Sequence, residues 1–184
     1  MKTSHHQFVL IISLAALLCL APGCQKKAEE VITDEQAKAL LDNAQKAYSE
    51  SDLALIEKVW APEYVLHDPS LPQGLVGLDA LRREITERSK PFPDKKLTFE
   101  GTFVKRDKIV AFFTWTGTHS GPFALPAGGE LAATGKPIRF SGVYIGRVAN
   151  GKLAEDWFFY NLLDMLQPLG FTLVPPQVPS TQKK

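Results

Sequence analysis

The dipeptide Asn150-Gly151 sits between two long runs in which apolar and polar residues alternate. Asn-Gly tolerates the two positive φ angles of a type I′ turn, whose twist matches that of the strands it joins. Lys136–Val148 and Lys152–Asn161 are therefore predicted to be the arms of a long hairpin. Lys95–Val104 and Lys108–Thr118 alternate in the same way around Lys105-Arg106-Asp107 and predict a second hairpin. Strands this long twist and bend, and one face of such a sheet needs cover. Side chains alternate along each strand. Leu153, Glu155, Trp157, Phe159 and Asn161 thus share one face of the last strand, and Asp156, Phe158 and Tyr160 the other. Ile109, Ala111, Phe113 and Trp115 line one face of their strand, as do Phe140, Gly142 and Tyr144 of theirs.

The cover comes from the preceding residues. Thr33-Asp34-Glu35-Gln36 is a capping box. Behind it Ala37, Leu40, Leu41, Ala44, Ala47 and Tyr48 recur at helical spacing, so a helix is predicted from Asp34 to about Glu50. Ser51 and Asp52 start a shorter helix bearing Leu53, Ile56, Val59 and Trp60, closed by Pro62. Glu63–Asp68 is strand-like, Ser70–Gly77 reads as loop, and Leu78–Ser89 is a third helix ended by Pro91 and Pro93. Ser120–Gly135, rich in Gly, Pro and Ala, is a loop, and Leu162–Leu169 is a terminal helical turn stopped by Gly170. Helices first and long hairpins after make an α+β domain over residues 34–170. A bent sheet wrapped on helices leaves a hollow lined by inward side chains, the expected place for a ligand. Residues 171–184, with Pro175, Pro176 and Pro179, read as a loose tail.

The start of the chain is an address. Phe8–Ala21 is apolar apart from Ser13, too short to span a bilayer comfortably but right for the hydrophobic region of an export signal. Leu20-Ala21-Pro22-Gly23-Cys24 resembles the bacterial lipoprotein cleavage box, with Ala21 where a larger aliphatic residue is usual. That resemblance implies removal of residues 1–23, acylation of Cys24, and a membrane-anchored exported protein with residues 24–33 as tether. Gln25 rather than Asp after the cysteine implies the outer membrane if the host is Gram-negative. Ala21-Pro22-Gly23 also suits the ordinary signal peptidase, which leaves that alternative open. The first 23 residues carry Lys2 and no acid, so the 21 bases and 20 acids of the whole chain become 20 against 20 in the remainder. A neutral domain lacks the basic footprint that nucleic-acid binding needs. Cys19 and Cys24 are the two cysteines, too few for a disulfide framework or a cysteine zinc site.

Six short motifs stand in order along the domain: Trp60-Ala61-Pro62-Glu63-Tyr64-Val65, His67-Asp68-Pro69, Phe92-Pro93-Asp94, Gly117-Thr118-His119-Ser120-Gly121, Gly135-Lys136-Pro137-Ile138 and Gly151-Lys152-Leu153-Ala154-Glu155-Asp156-Trp157. With the closing Leu166-Gln167-Pro168-Leu169-Gly170 they resemble the SnoaL-like polyketide cyclases (ester cyclases) of the nuclear-transport-factor-like superfamily. The resemblance covers roughly residues 35 to 170. It implies a cone-shaped curved antiparallel sheet with the N-terminal helices on its concave face. It also implies an intramolecular aldol closure without metal or organic cofactor, run by a cavity Asp four residues after the motif tryptophan. Counting from Trp157 places that position at Asn161, an amide that cannot take a proton near neutral pH.

Among the remaining residues His67, Asp68 and His119, at predicted strand ends, are the candidate acid/base groups. His67 and Asp68 face opposite ways unless a bulge intervenes. Asn161 is a candidate donor to a carbonyl or enolate oxygen. If the family register holds, Trp157 and Asn161 look into the cavity, where Trp115, Tyr144 and Trp157 would serve as ligand platform or as plain core. Two histidines in the mature chain, without a facing carboxylate or cysteine cluster, argue against a metal site. These residues leave three readings open. One is a cofactor-independent cyclase, isomerase or hydrolase acting on a small apolar organic molecule. The others are a non-catalytic binder of such a molecule and an envelope interaction module whose exposed sheet packs against a second copy, as a homodimer, or against a partner.

Overall fold

The computed structural model describes residues 30–125 and 129–174. The expected signal segment, Cys24, most of the tether and the last ten residues of the tail lie outside the described residues. Thr33 caps α1 (Asp34–Ser49): its hydroxyl accepts the Gln36 N–H at 3.2 Å while the Gln36 side chain accepts the Thr33 N–H at 2.9 Å. The buried face of α1 is Ala37, Leu41, Ala44 and Ala47, small enough for the helix to lie close on the sheet. A 3-10 turn, Leu53–Leu55, capped by Asp52, leads into the single turn α2 (Ile56–Val59).

Strand β1 (Trp60–Asp68) begins three residues earlier than the sequence suggests, with Pro62 inside it. The Ser70–Gly77 segment is not a loop: Leu71–Val76 forms β2, paired with β1 through Val65↔Val76, Leu66↔Leu75 and Asp68↔Leu71. Pro72 has no N–H and Gly74 sits at φ +67°, features that hide a strand from pattern reading but are tolerated where one side of it is unpaired. Helix α3 (Leu78–Ser89) buries Leu81 and Ile85. Strands β3 (Lys96–Lys105) and β4 (Lys108–Thr118) form the first hairpin, and β7 (Pro137–Ala149) and β8 (Lys152–Tyr160) the second. Asn150 and Gly151 turn the second hairpin at φ +54° and +72°. Inside the expected 120–135 loop, Phe123–Ala124 (β5) and Glu130–Leu131 (β6) make a two-residue ladder, and α4 (Leu162–Leu166) follows β8.

The six-stranded sheet has the order β2-β1-β8-β7-β4-β3. Neighbours are antiparallel except β1 and β8, which run parallel. That pair departs from the wholly antiparallel sheet expected: no hairpin joins β1 to β8, and the excursion through α3 and β3–β7 brings the chain back in the same direction. Helix α1 packs on the edge strand β3 and answers its free N–H groups, Gln45 accepting from Phe99 and Ser49 from Leu97 at 3.1 Å. Helix α3 packs on β1 and β2. Between helices and sheet lies one core of aliphatic and aromatic side chains.

The N-terminal segment is fastened at the turn end of both hairpins. The Glu30 carboxylate accepts the Asn150 and Gly151 N–H groups at 2.5 and 2.8 Å, and the Ile32 N–H donates to the Arg106 carbonyl at 3.0 Å. The close approach of β7 and β8 requires Gly142, where an added Cβ would stand 2.0 Å from the Phe159 carbonyl oxygen. Gly142→Ala is expected to lose at least about 2 kcal/mol of stability in urea unfolding, the scale of overpacking against backbone that cannot yield; an unchanged midpoint would show that the strands are free to separate there.

Candidate functional site

Parallel pairing of β1 with β8 sets Leu66 beside Asp156 and His67 beside Trp157. From Glu155 to Tyr160 the even-numbered side chains of β8 therefore point toward the helices and the odd-numbered ones toward the opposite face. Leu153, expected on the Trp157 face, lies beyond a register shift and is fully buried in the core. Asp156, Phe158 and Tyr160 line a cavity between sheet and helices, walled also by Tyr48, Phe99, Phe113, Trp115 and Phe140. About 90 Å³ of it is open to the centres of water molecules, enough for a small flat guest.

At the deep end Asp156 is 2% exposed. Its Oδ1 accepts the Tyr144 hydroxyl at 2.6 Å, and its Oδ2 accepts the Tyr64 hydroxyl at 2.7 Å and the Trp60 indole N–H at 3.3 Å. The three donors reach it from β1 and β7, the two strands flanking β8. Gly146, paired with Asp156, gives Tyr144 its room: a Cβ there would lie 2.3 Å from the Tyr144 hydroxyl. Burial pushes the Asp156 carboxyl up to about 6, against the three hydrogen bonds that pull it down. Burial and the neighbouring Asp156 charge hold the Tyr64 and Tyr144 hydroxyls well above their usual range. The carboxylate thus changes charge near neutrality inside an aromatic chamber, while the tyrosines remain donors. Such a group can take a proton from a guest and return it, and a tyrosine hydroxyl released as the carboxyl becomes protonated can donate to a developing oxyanion.

A polar cluster frames the other end of the cavity. Asp68 Oδ1 accepts the Ser70 N–H at 2.7 Å, the Ser70 hydroxyl at 2.6 Å and the Tyr160 hydroxyl at 2.8 Å. Arg88 donates through Nε and Nη2 to Glu84 at 3.0 and 2.6 Å, and through Nη2 to Ser70 at 3.3 Å.

Of the residues singled out in the sequence, Asp68, Trp115 and Tyr144 line the cavity. The others do not. His67 faces away, its Nε2 3.0 Å from Glu155 Oε1, with its ring stacked on Trp157 at 5.3 Å and 8°. Arg147 holds the other Glu155 oxygen at 3.1 Å, so Trp157 belongs to an outer-face group and not to the ligand wall. The family register expected Trp157 and Asn161 inward. Both sets of β8 carry large apolar residues, so hydrophobicity alone could not choose between them. His119 is buried off the cavity against Phe92 and Phe123. Its Nδ1 accepts the Thr134 N–H at 3.2 Å and lies 3.0 Å from the Thr134 hydroxyl, and Nε2 has no partner among the described residues. Burial holds this imidazole below its usual value and hence neutral. Asn161 caps α4, accepting the Leu163 N–H at 3.2 Å and donating to Asp164 at 2.9 Å. Asp156, Tyr64 and Trp60 escaped notice as site residues. The available signal was a carboxylate sharing a strand face with Phe158 and Tyr160.

The family model for SnoaL-like polyketide cyclases matches residues 38–169. Among solved structures the fold is similar to TsrD from Streptomyces laurentii, 24% identical over 76% of this chain and 98% of that one, with a TM-score of 0.65. It is also similar to AclR from Streptomyces galilaeus, described as a candidate hydroxylase, 26% identical over 78% and 87% of the two chains with a TM-score of 0.63. A candidate polyketide cyclase from Acidithiobacillus ferrooxidans is 27% identical over 76% and 97%, also with a TM-score of 0.63. No curated protein matches the sequence.

Because Asp156 is raised from its ordinary 3.8 to about 6, the folded state binds its proton more tightly than the unfolded chain. Its contribution to stability is complete below pH 3.8 and is lost as pH rises through 6, by about 3 kcal/mol in all. The difference in unfolding free energy between wild type and Asp156→Asn should therefore change by about that amount between pH 4 and 8; parallel pH profiles would show that the carboxyl is not perturbed.

Proposed function

The chain belongs to the SnoaL-like polyketide cyclase family, and from that premise we propose that it binds a small, flat, largely apolar organic molecule in the cavity and moves a proton on it with Asp156. The observation that carries this reading is the buried carboxylate held by Tyr64, Tyr144 and Trp60 at the end of an aromatic chamber. Ionised, Asp156 takes an acidic C–H proton from the guest. Once it is protonated it no longer needs both tyrosine hydrogens, and one hydroxyl turns from it to donate to the enolate oxygen that forms. Protonated, it returns the proton to carbon or oxygen, which closes a cofactor-independent cycle of the cyclase or isomerase type. Asp68, with Ser70 and Tyr160, orients the guest at the other end.

The test is hydrogen–deuterium exchange at the α-carbons of a small cyclic ketone, 2-indanone, followed by NMR. Wild type should accelerate exchange, and Asp156→Asn should lower the catalysed rate by at least about a hundredfold, the usual share of a general base. A ketone that binds without exchanging in wild type would make the protein a binder and not an enzyme.

The same proposal has the domain exported and anchored to the cell envelope through acylated Cys24, at the outer membrane if the host is Gram-negative. Support comes from the sequence before Cys24 and from the fastening of Glu30 and Ile32 at the turn end, which would leave the far, Asp68 end of the cavity facing away from the bilayer. Cys24→Ser should move the protein from the membrane to the soluble fraction; a variant that still sediments with membranes contradicts the anchor.

A second reading concerns association. On the outer face of the sheet Phe103, Phe112 and Phe159 are 63%, 57% and 54% exposed, and Phe112 and Phe159 both pair with Val143. An apolar face of this kind is suited to a second copy of the chain. Sedimentation should show a concentration-dependent dimer that Phe112→Asp abolishes, and a wild-type monomer at high concentration excludes it.

A further inference from the structure

The inner cavity is a small part of the empty space at this end of the molecule. Beyond the Arg88–Glu84 pair lies an outer groove with about 540 Å³ open to the centres of water molecules, against about 90 Å³ inside. The two spaces share Ser70, Glu84, Arg88 and Met165 as walls, so they adjoin at one neck. The groove is lined mainly by apolar side chains, among them Pro72, Pro91, Phe123, Leu125, Leu166 and Phe171. Its charged members, Glu87, Lys90 and Glu130 beside the neck pair, are of mixed sign, so the groove carries no strong field to select an ion.

We propose that the outer groove is the second half of the ligand site and takes an apolar chain of several carbons, attached to the ring that fills the inner cavity. This rests on the reading of the inner cavity given above and adds the shape of the guest to it. A space of 90 Å³ admits a single ring and little more, so a larger guest has to cross the neck. What it meets there is polar: Arg88 and Glu84, with side chains 14% and 20% exposed, are bound to each other, and Arg88 also donates to Ser70. A hydroxyl, ether or carbonyl joining ring to chain finds donors and acceptors at that point. Met165, 4% exposed, forms the apolar wall common to both spaces, and its flexible thioether can adjust to what passes. The occupant is therefore an extended amphiphile with a ring at one end and hydrocarbon at the other.

The probe is a series from phenol to 4-hexylphenol, with affinity for the full chain measured by calorimetry. Phenol should bind in the inner cavity, and each added methylene should tighten binding by up to about fourfold while the groove fills, reaching at least about a hundredfold at 4-hexylphenol. Leu125→Asp and Phe171→Asp, in the groove and away from the inner cavity, should leave phenol affinity unchanged and remove most of the gain from the chain. The phenol value in each variant also serves as its folding control. If phenol binds and the alkyl chain adds nothing, or if the gain persists in both variants, the groove is not part of the site while the reading of the inner cavity stands. If neither phenol nor 4-hexylphenol binds, the inner cavity is not a ring site and both readings fall.

Discussion

One buried carboxylate organises this molecule. Asp156 stands where β1, β8 and β7 run side by side, and its two oxygens take three hydrogen bonds from the strands on either side. A carboxylate without partners would be expelled from such a place or would stay neutral at great cost. Here the tyrosine hydroxyls and the indole N–H offset much of that cost, though not all of it, and the remainder appears as a carboxyl that titrates near neutrality. The same contacts lock the parallel β1–β8 pair to the β7–β8 hairpin, so the constraint that builds the sheet also builds the site.

Two other features follow from that placement. Tyr144 reaches Asp156 only because Gly146 leaves its hydroxyl room, and the burial of the carboxyl among side chains raises it above its ordinary value. On the opposite face the alternation of β8 delivers Glu155 to His67 and Arg147 and stacks Trp157 on the imidazole. Burial alone would push the Glu155 carboxyl up, but the bonds from His67 and Arg147 outweigh it and hold it low. Adjacent acids on one strand thus have opposite characters: Glu155 is a structural partner on the outside and Asp156 a titrating group within. Separation of this kind marks which carboxyl is available for proton transfer.

The local elements were legible from local chemistry. Thr33 and Gln36 mark the start of α1 by their capping geometry, Asn150-Gly151 marks the β7–β8 turn by its tolerance of positive φ, and Leu78–Ser89 shows its helical period plainly. The alternation of β4 and β7 likewise puts Trp115 and Tyr144 on the inward face. What escaped depends on distant partners. Strand β2 is disguised by Pro72 and Gly74 and exists because β1 offers it an edge. The inward face of β8 is decided by donors at Trp60 and Tyr64, 96 and 92 residues away from Asp156, which periodicity within the strand does not register. His67, His119 and Asn161 carry chemistry that attracts attention in a sequence. In the fold they serve as an outer-face contact to Glu155, a buried strand-end contact and a helix cap.

The central claim is that Asp156 is an ionisable group poised inside a ligand cavity. The most direct measurement is a 13C NMR titration of its side-chain carboxyl, with and without phenol present. The account predicts a midpoint near 6 that moves when phenol occupies the cavity, because the guest removes water and meets the same tyrosine hydroxyls. A midpoint in the ordinary range near 4, unmoved by bound phenol, would contradict it.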